Sequence, residues 1–171
     1  ISDYAFYNCD GITKVTIPET ITSIGEGAFA YCPLTSVTIP DTVTHIYDDA
    51  FDSCYSLQTV ILGAGVQQIN YDGFYNCGSI SKVYYKGTQS DWNNIYFGSY
   101  NSNLQNATRY YYSETDPDEQ GNWWHYVDDV PTVWTISFGL SYSWDDYTSS
   151  YTVTGMGDCT DAYLVIPAYY N

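Results

Sequence analysis

The cysteines carry the most reactive side chains in this sequence, and their spacing limits the chemistry that they can do. Cys9, Cys32, Cys54 and Cys77 recur at steps of 23, 22 and 23 residues, and the fifth is Cys159. No pair has the close CxxC spacing that is typical of a structural zinc site. The even spacing predicts a ladder of buried free thiols, one per unit of a repeat. A disulfide between neighbouring units is the alternative, because stacked units bring Cα atoms within bridging distance.

The histidines do not complete a catalytic pair with these thiols. A nucleophilic Cys–His pair needs an exposed thiol beside a histidine, whereas the spacing of the cysteines places them inside. His45 is predicted in a variable loop and His125 in a strand near the other end of the chain. We therefore expect no catalytic residue and no enzymatic activity.

Acidic pairs and one glycine motif are the remaining candidates for metal or cofactor binding. The pairs Asp128–Asp129 and Asp145–Asp146 lack the DxDxDG spacing of a calcium loop. The string LGAGV at 62–66 contains GxG, but no dinucleotide or Walker spacing follows it. We expect turns at these places, and neither a metal nor a cofactor.

A repeat of 22–23 residues positions the cysteines. Each of the first four follows a phenylalanine by three residues, and each phenylalanine follows an isoleucine by five. The phenylalanines are Phe6, Phe29, Phe51 and Phe74, and the isoleucines are Ile1, Ile24, Ile46 and Ile69. Three residue types that keep one spacing indicate stacked structural units.

Each unit also contains one short run in which β-branched and polar residues alternate. The runs lie at 15–18, 37–40, 60–62 and 83–85. Alternation predicts a strand with one face inward, and stacking pairs the strands in a parallel sheet with rungs about 4.8 Å apart. The other half of each unit, such as 22–32, is predicted to form a loop or a short helical turn.

The pattern LxxVxIPxxVTxIGxxAFxxC resembles the BspA-type leucine-rich repeat of bacterial and some protist surface proteins. One continuous unit matches it through Leu34, Val37, Ile39, Pro40, Val43, Thr44, Ile46, Ala50, Phe51 and Cys54. The resemblance covers residues 1 to about 87, and Gly73 in place of the usual Ala indicates that the array is ending. It implies a repeat solenoid of leucine-rich-repeat type, with a short parallel sheet of one strand per rung.

We expect three parts: an array of about four rungs at 1–87, a small mixed or β capping module at 88–135, and a truncated second array at 136–171. In the capping module, Ser90 or Asp91 is predicted to cap a short helix. A turn at 103–108, a strand at 109–113 and a hairpin of 123–127 with 130–134 follow. The aromatic residues expected to cover the end of the solenoid are Tyr110, Tyr111, Tyr112, Trp123, Trp124 and Trp134.

The last part is predicted from one string. CTDAYLVIP at 159–167 repeats the Cys-to-Pro spacing of 32–40, and a strand pair between Tyr142 and Val153 is expected before it. The array is cut at both ends, so the sequence is expected to be a fragment of a longer multi-array protein.

Composition excludes several classes of function. With 20 acidic and 4 basic residues the net charge is −16, which opposes binding to nucleic acid or to anionic membranes. Hydrophobic residues make up 44% and aromatic residues 19%, which is ample for a folded core. No apolar run approaches the roughly 18–20 residues of a membrane-spanning helix.

The strand residues that flank the buried valines form the candidate binding face of a curved solenoid. They are Lys14, Thr16, Ser36, Thr38, Thr59, Ile61, Lys82 and Tyr84, with Lys86 at the margin. Three of the four basic residues of the protein are among them. The alternative is that these residues are only soluble strand formers.

Together with the resemblance, these features favour a secreted or cell-surface adhesion protein that binds an extracellular protein or glycan. The first alternative is an architectural stalk, or a unit that self-associates head to tail into filaments. The second alternative is a carbohydrate-binding or carbohydrate-processing module in residues 88–135, which requires exposed tryptophans.

Overall fold

Every unit of the repeat forms one longer strand and one two-residue strand. The computed structural model describes residues 1–115, 117, 121–134, 140–145 and 150–156, and the chain divides into two units, 1–133 and 134–171. In chain order the elements are β1 (Lys14–Thr16), β2 (Ser23–Ile24), β3 (Ser36–Ile39), β4 (His45–Ile46), β5 (Thr59–Leu62), β6 (Gln68–Ile69), β7 (Lys82–Tyr85), α1 (Gln89–Asn93), β8 (Tyr96–Phe97), α2 (Ser102–Asn106), β9 (Thr108–Tyr112), β10 (Trp123–Val127), β11 (Val130–Val133), β12 (Leu140–Asp145) and β13 (Ser150–Met156).

The alternating runs form the first sheet, in the order β1-β3-β5-β7-β9-β10-β11. All pairs are parallel except β10 with β11. The register aligns Val15, Val37, Val60 and Val83 in one column, and the last three of these valines are buried. The predicted solenoid with one parallel strand per rung is therefore confirmed.

The short strands form a second parallel sheet, in the order β2-β4-β6-β8. The prediction of a loop or helical turn is wrong at these positions, and His45 lies in a strand rather than in a loop. Two residues are too few for a visible alternation in the sequence. They become strands because stacking places each segment beside its equivalent in the next unit.

The core lies between the two sheets and the phenylalanine turns. Phe29, Phe51 and Phe74 are buried, and their rings stack with those of the neighbouring units. Centroids of successive rings, beginning with Phe6, are 5.1, 5.3 and 4.9 Å apart, and the ring planes lie within 14° of parallel. The rings thus form one column that is buried in the second to fourth units, whereas Phe6 is 40% exposed.

The segments 2–9, 25–32, 47–54 and 70–77 surround these phenylalanines, and we call them the turn ladder. Alternate N–H groups donate to carbonyls of the next unit, as from Phe29 to Ala50 at 2.8 Å and from Tyr31 to Asp52 at 2.8 Å. The residues two before and two after each Phe have φ between +53° and +63°. Asn, Asp and Gly tolerate this conformation best, and they fill five of the eight positions: Asn8, Gly27, Asp49, Asp72 and Asn76.

Parallel stacking continues beyond residue 87. There β8 pairs with β6 and β9 pairs with β7, although the Phe and Cys spacing has ended. Helix α1 begins after Thr88, whose hydroxyl accepts from the backbone of Asp91, while the Asp91 carboxylate accepts from the Thr88 backbone. The N-cap is therefore Thr88 rather than Ser90 or Asp91, and Asp91 completes a capping box.

The predicted hairpin is confirmed as β10 and β11. Its two-residue turn has φ of +48° at Asp128 and +60° at Asp129. Positive φ at both central residues is the type I′ geometry that fits the twist of a hairpin. The indole of Trp124, on β10, is fully buried.

In residues 134–171, β12 and β13 form an antiparallel pair whose register shifts between Ser141 and Tyr142. The expected strand pair between Tyr142 and Val153 is thereby confirmed. The string at 159–167, from which a second array was predicted, lies outside the described residues. Within the described part of the chain, no helix is long and apolar enough to cross a membrane.

Candidate binding face

The candidate face is an ordered pair of columns on the first sheet. Lys14, Ser36, Thr59 and Lys82 are aligned across four strands, and Thr16, Thr38, Ile61 and Tyr84 form the second column. All of these residues except Tyr84 are exposed or half-buried. They alternate with the buried valine column, so every second side chain of each strand points away from the core.

Tyr84 departs from the prediction that it belongs to this face. Its side chain is only 7% exposed, because its ring lies 5.4 Å from the ring of Tyr110 and 5.3 Å from that of Trp124. Burial also raises the pKa of its phenol. The aromatic residues of β9 and β10 therefore close this end of the face, and Tyr84 is not available to a ligand.

The lysines differ in their surroundings. Lys14 and Lys82 are exposed, whereas Lys86 is half-buried at the closed end of the face. The Lys86 ammonium lies 3.6 Å from the Asp41 carboxylate and 6.0 Å from the centroid of the Tyr126 ring. The charge of Lys86 is thus partly neutralised within the protein.

Trp123 and Trp124 of the capping segment pack at the end of the array rather than forming an open platform. Trp124 is fully buried, and its indole N–H donates to the Tyr85 carbonyl at 3.0 Å. Trp123 and Trp134 are half-buried, and the ring of Trp123 lies 6.3 Å from that of Tyr111. This arrangement removes the exposed tryptophans that the carbohydrate-module alternative required.

The thiols of the repeat are free and buried in three units. Cys32, Cys54 and Cys77 donate to the carbonyls of Phe6, Phe29 and Phe51, at 3.0, 3.2 and 3.1 Å. The four described cysteines are unbridged in this structure, and the three buried ones form the predicted ladder of thiols.

The surroundings of these thiols make them poor nucleophiles, since only the thiolate reacts readily. Burial raises the pKa of Cys32. A hydrogen bond with Cys77, followed by burial, raises the pKa of Cys54. The histidine that was considered as a partner for these thiols, His45, has its Nδ1 atom 2.8 Å from the hydroxyl oxygen of Thr44.

Carboxylates gather on the turn ladder, where Asp49 and Asp72 lie. Burial, with a contribution from neighbouring aspartates, raises the pKa of both. Even so, the residues that the structure describes include no group of three or more His, Cys, Asp or Glu side chains placed to hold a metal ion.

Sequence reasoning missed a set of exposed tyrosines on and beside the turn ladder and the second sheet. Each of these rings is at least 41% exposed: Tyr4, Tyr7, Tyr31, Tyr47, Tyr55, Tyr71, Tyr75, Tyr96 and Tyr100. Several are held edge to face, as Tyr71 is against Tyr100 at 5.2 Å and 82°. The sequence did carry a signal for these exposed rings: it has 21 tyrosines, more than the core holds, so some of them must lie on the surface.

Two solved structures are similar to this chain. A leucine-rich cell surface protein from Faecalibacterium prausnitzii is 28% identical, with a TM-score of 0.49, over 56% of this chain and 32% of that one. A leucine-rich repeat protein from Bacteroides capillosus is 34% identical, with a TM-score of 0.40, over 43% of this chain and 61% of that one. The chain thus matches less than two thirds of either protein.

No curated protein matches the chain. The family model of the BspA-type leucine-rich repeat region matches residues 1–109 in six copies, so the match extends past residue 87, as the stacking of β8 and β9 does. It covers well over half of the chain. The protein therefore belongs to the BspA-type leucine-rich repeat family.

Proposed function

We propose that this chain is a non-enzymatic adhesion module that binds an extracellular protein or glycan through the candidate face. Membership of the repeat family indicates a protein-interaction function in general. The observation that supports this face is its composition: short polar side chains on four aligned strands, with Lys14 at one end and Lys82 near the other. Secretion or display at the cell surface is part of the same proposal.

Charge adds a reason to favour this face. The protein has a net charge of −16 and only four basic residues, three of which lie on the face or at its margin. The face is therefore less negative than the rest of the surface, and an acidic or neutral ligand meets least repulsion there. Small threonine and serine side chains leave room for a ligand to approach the strands.

A panel of extracellular-matrix proteins and glycans tests the proposal against the whole chain. Thr38→Arg places a bulky side chain at the centre of the face, and the exposed residue Gln67, outside the first sheet, supplies the matched control Gln67→Arg. Binding that is lost with Thr38→Arg and kept with Gln67→Arg is the expected result. Absence of binding to the whole panel contradicts adhesion, and equal loss in both variants contradicts this face.

Self-association is the second candidate. The units stack on one another through parallel strands in a repeated register, and head-to-tail stacking of two copies would continue the same arrangement. Size-exclusion chromatography at several concentrations separates the two candidates. Elution as a monomer throughout eliminates self-association.

The division of the chain belongs to the same proposal: an array at 1–87, a capping module at 88–135 and the start of a second array at 136–171. The antiparallel strand β11, which forms the edge of the first sheet beside β10, supports the capping role, because it ends the parallel register in which the units stack.

A further inference from the structure

A cleft of about 250 Å³ lies outside the candidate face, where three strands of the second sheet end. Asp48 follows β4 by two residues, Asn70 and Tyr71 directly follow β6, and Ser99 follows β8 by two residues. The carboxyl ends of parallel strands share one edge of a sheet, so three consecutive units contribute to one site. Gln68 and Tyr96 also line it, and they are paired across β6 and β8.

We propose that this cleft binds a single neutral sugar residue of a glycan. Its described lining offers a carboxylate, two amides, a hydroxyl and two phenols, and it includes no basic side chain. Such groups both donate and accept hydrogen bonds, as the hydroxyls of a sugar require. The volume lies just below the roughly 300–1,000 Å³ of sites for drug-sized ligands, which suits one pyranose ring.

Two tyrosines give the cleft the apolar surface that the C–H face of a sugar ring needs. The side chain of Tyr96 is 61% exposed, although its strand is paired on one side with β6. In the three preceding units, the position equivalent to Tyr71 is occupied by an acidic residue: Asp3, Glu26 and Asp48. Among these four units, only the fourth therefore has an aromatic ring at this position. Tyrosine combines an apolar ring with a polar end, which matches the two sides of a sugar.

The base of the cleft is held in place by buried hydrogen bonds. The Asn101 side chain, 1% exposed, donates to the carbonyls of Asn70 at 2.7 Å and Gly98 at 3.0 Å. The Gln68 amide donates to the side-chain carbonyl of Asn70, which orients both amides. A site that is ordered before binding avoids part of the entropy cost of binding.

Close approach of the last two units shapes the same cleft. A Cβ atom at Gly98 would lie 2.6 Å from the carbonyl carbon of Asn70 and from the nitrogen of Tyr71. Glycine therefore allows the backbone after β8 to lie against the backbone after β6. The Tyr71 ring is fixed from the other side by the ring of Tyr100.

A lysine or arginine side chain of a cationic peptide is the competing ligand, because Asp48 is acidic and tyrosine rings attract cations. The lining favours a sugar, since one carboxylate stands among five uncharged polar side chains. The two ligands also respond differently to salt. Binding of a cation to an acidic protein weakens as ionic strength rises, whereas binding of a neutral sugar does not.

In the test, the whole chain is first applied to an immobilised array of neutral and acidic glycans. It is then titrated in solution with the free sugar of the neutral glycan that gives the strongest signal, and separately with pentalysine. Tyr96→Ala is expected to weaken sugar binding by about tenfold or more, and Tyr96→Phe to retain most of it. Tyr55→Ala is the matched control, since Tyr55 is 62% exposed and lies outside the cleft, and this variant is expected to bind the sugar as the parent does. Binding of the sugar by the parent is expected to stay the same between about 50 and 500 mM salt.

Absence of any neutral glycan signal overturns the proposal. Equal loss in Tyr96→Ala and Tyr55→Ala, or salt-sensitive binding that pentalysine displaces, also overturns it. Loss with Thr38→Arg instead of Tyr96→Ala would place the sugar on the candidate face. The cleft does not depend on that face, so either site can fail without the other.

Discussion

At the scale of single residues, the Phe and Cys of the repeat are coupled through the backbone. The ring of Phe29 lies between two neighbouring rings, and its carbonyl accepts the thiol proton of Cys54 in the next unit. The spacing of three residues between Phe and Cys is what brings each thiol against the preceding Phe carbonyl. The same carbonyl also accepts from the Cys32 N–H at 3.2 Å, so the thiol is a second, weak donor on a small side chain that fits the buried position.

Replacement of Phe51 tests the importance of this column. Phe51→Ala should lower the free energy of unfolding by about 3–5 kcal/mol, because the cavity lies between stacked units that cannot easily collapse. Thr38→Ala is the control and should change it by less than about 0.5 kcal/mol, since that half-buried side chain lies on the face. Urea denaturation measures both. A larger loss for Thr38→Ala would mean that the two faces of the strands are assigned backwards.

Asp49 provides a prediction about pH. Burial, followed by repulsion from Asp72, Asp52 and Asp48, raises its pKa above the ordinary value of 3.8. The folded protein therefore holds this proton more tightly than the unfolded chain, and ionisation of Asp49 destabilises the fold as pH rises through the raised pKa.

Asp49→Asn should consequently stabilise the protein at pH 7, and the gain should shrink below the ordinary pKa of 3.8. Any conformational benefit of asparagine at a φ of +55° is independent of pH. The difference between the stabilisation at pH 7 and that at the acidic pH therefore gives the contribution of the Asp49 charge. Thermal unfolding at each pH gives the comparison, with Asp10→Asn in an exposed turn as control. An equal gain at both pH values would refute the electrostatic origin.

At the scale of elements, the turn ladder and the first sheet end in different ways. The first sheet ends in the hairpin of β10 and β11, with Trp124 packed beneath it. At the end of the turn ladder the Asp72 N–H still donates to a backbone carbonyl, that of Ser99, at 3.0 Å. The Phe74 N–H donates to the Asn101 side chain at 2.9 Å, whereas Phe51 donates to the backbone carbonyl of Gly73 at 2.9 Å. At the Phe position an amide side chain thus replaces the carbonyl of a further unit.

Asn101→Ala should therefore destabilise the end of the ladder. It leaves the Phe74 N–H and the Gly98 carbonyl without this partner, while the Asn70 carbonyl keeps the longer hydrogen bond from the Gly73 N–H, at 3.4 Å. Each buried group that is left unsatisfied costs about 1–3 kcal/mol. Asn103→Ala, at a half-buried position of α2, is the matched control. Guanidinium denaturation should show a loss well above that of the control, and equal losses would show that Asn101 is not the terminus of the ladder.

At the scale of the whole molecule, local pattern predicted the stacking, and long-range packing decided which surfaces stay open. The Phe, Cys and Val columns follow from spacing because each unit contacts its own equivalent in the next. Tyr84 could not be judged in this way, since Trp124, which lies 40 positions later in the chain, helps to bury it. The cleft was equally invisible, because its lining comes from three units whose equivalent positions hold different residues.

The last prediction concerns how far a local change spreads through the array. In a stacked repeat each unit contacts its neighbours, so stability is shared between adjacent units. Phe51→Ala should accelerate amide hydrogen exchange at Phe29 and Phe74, whose rings stack on Phe51, and should leave exchange in the hairpin of β10 and β11 much closer to that of the parent. Hydrogen–deuterium exchange followed by mass spectrometry measures this along the chain. Exchange that increases equally in the hairpin would show that residues 1–133 unfold as one cooperative block, and exchange confined to the Phe51 unit would show that the units are energetically independent.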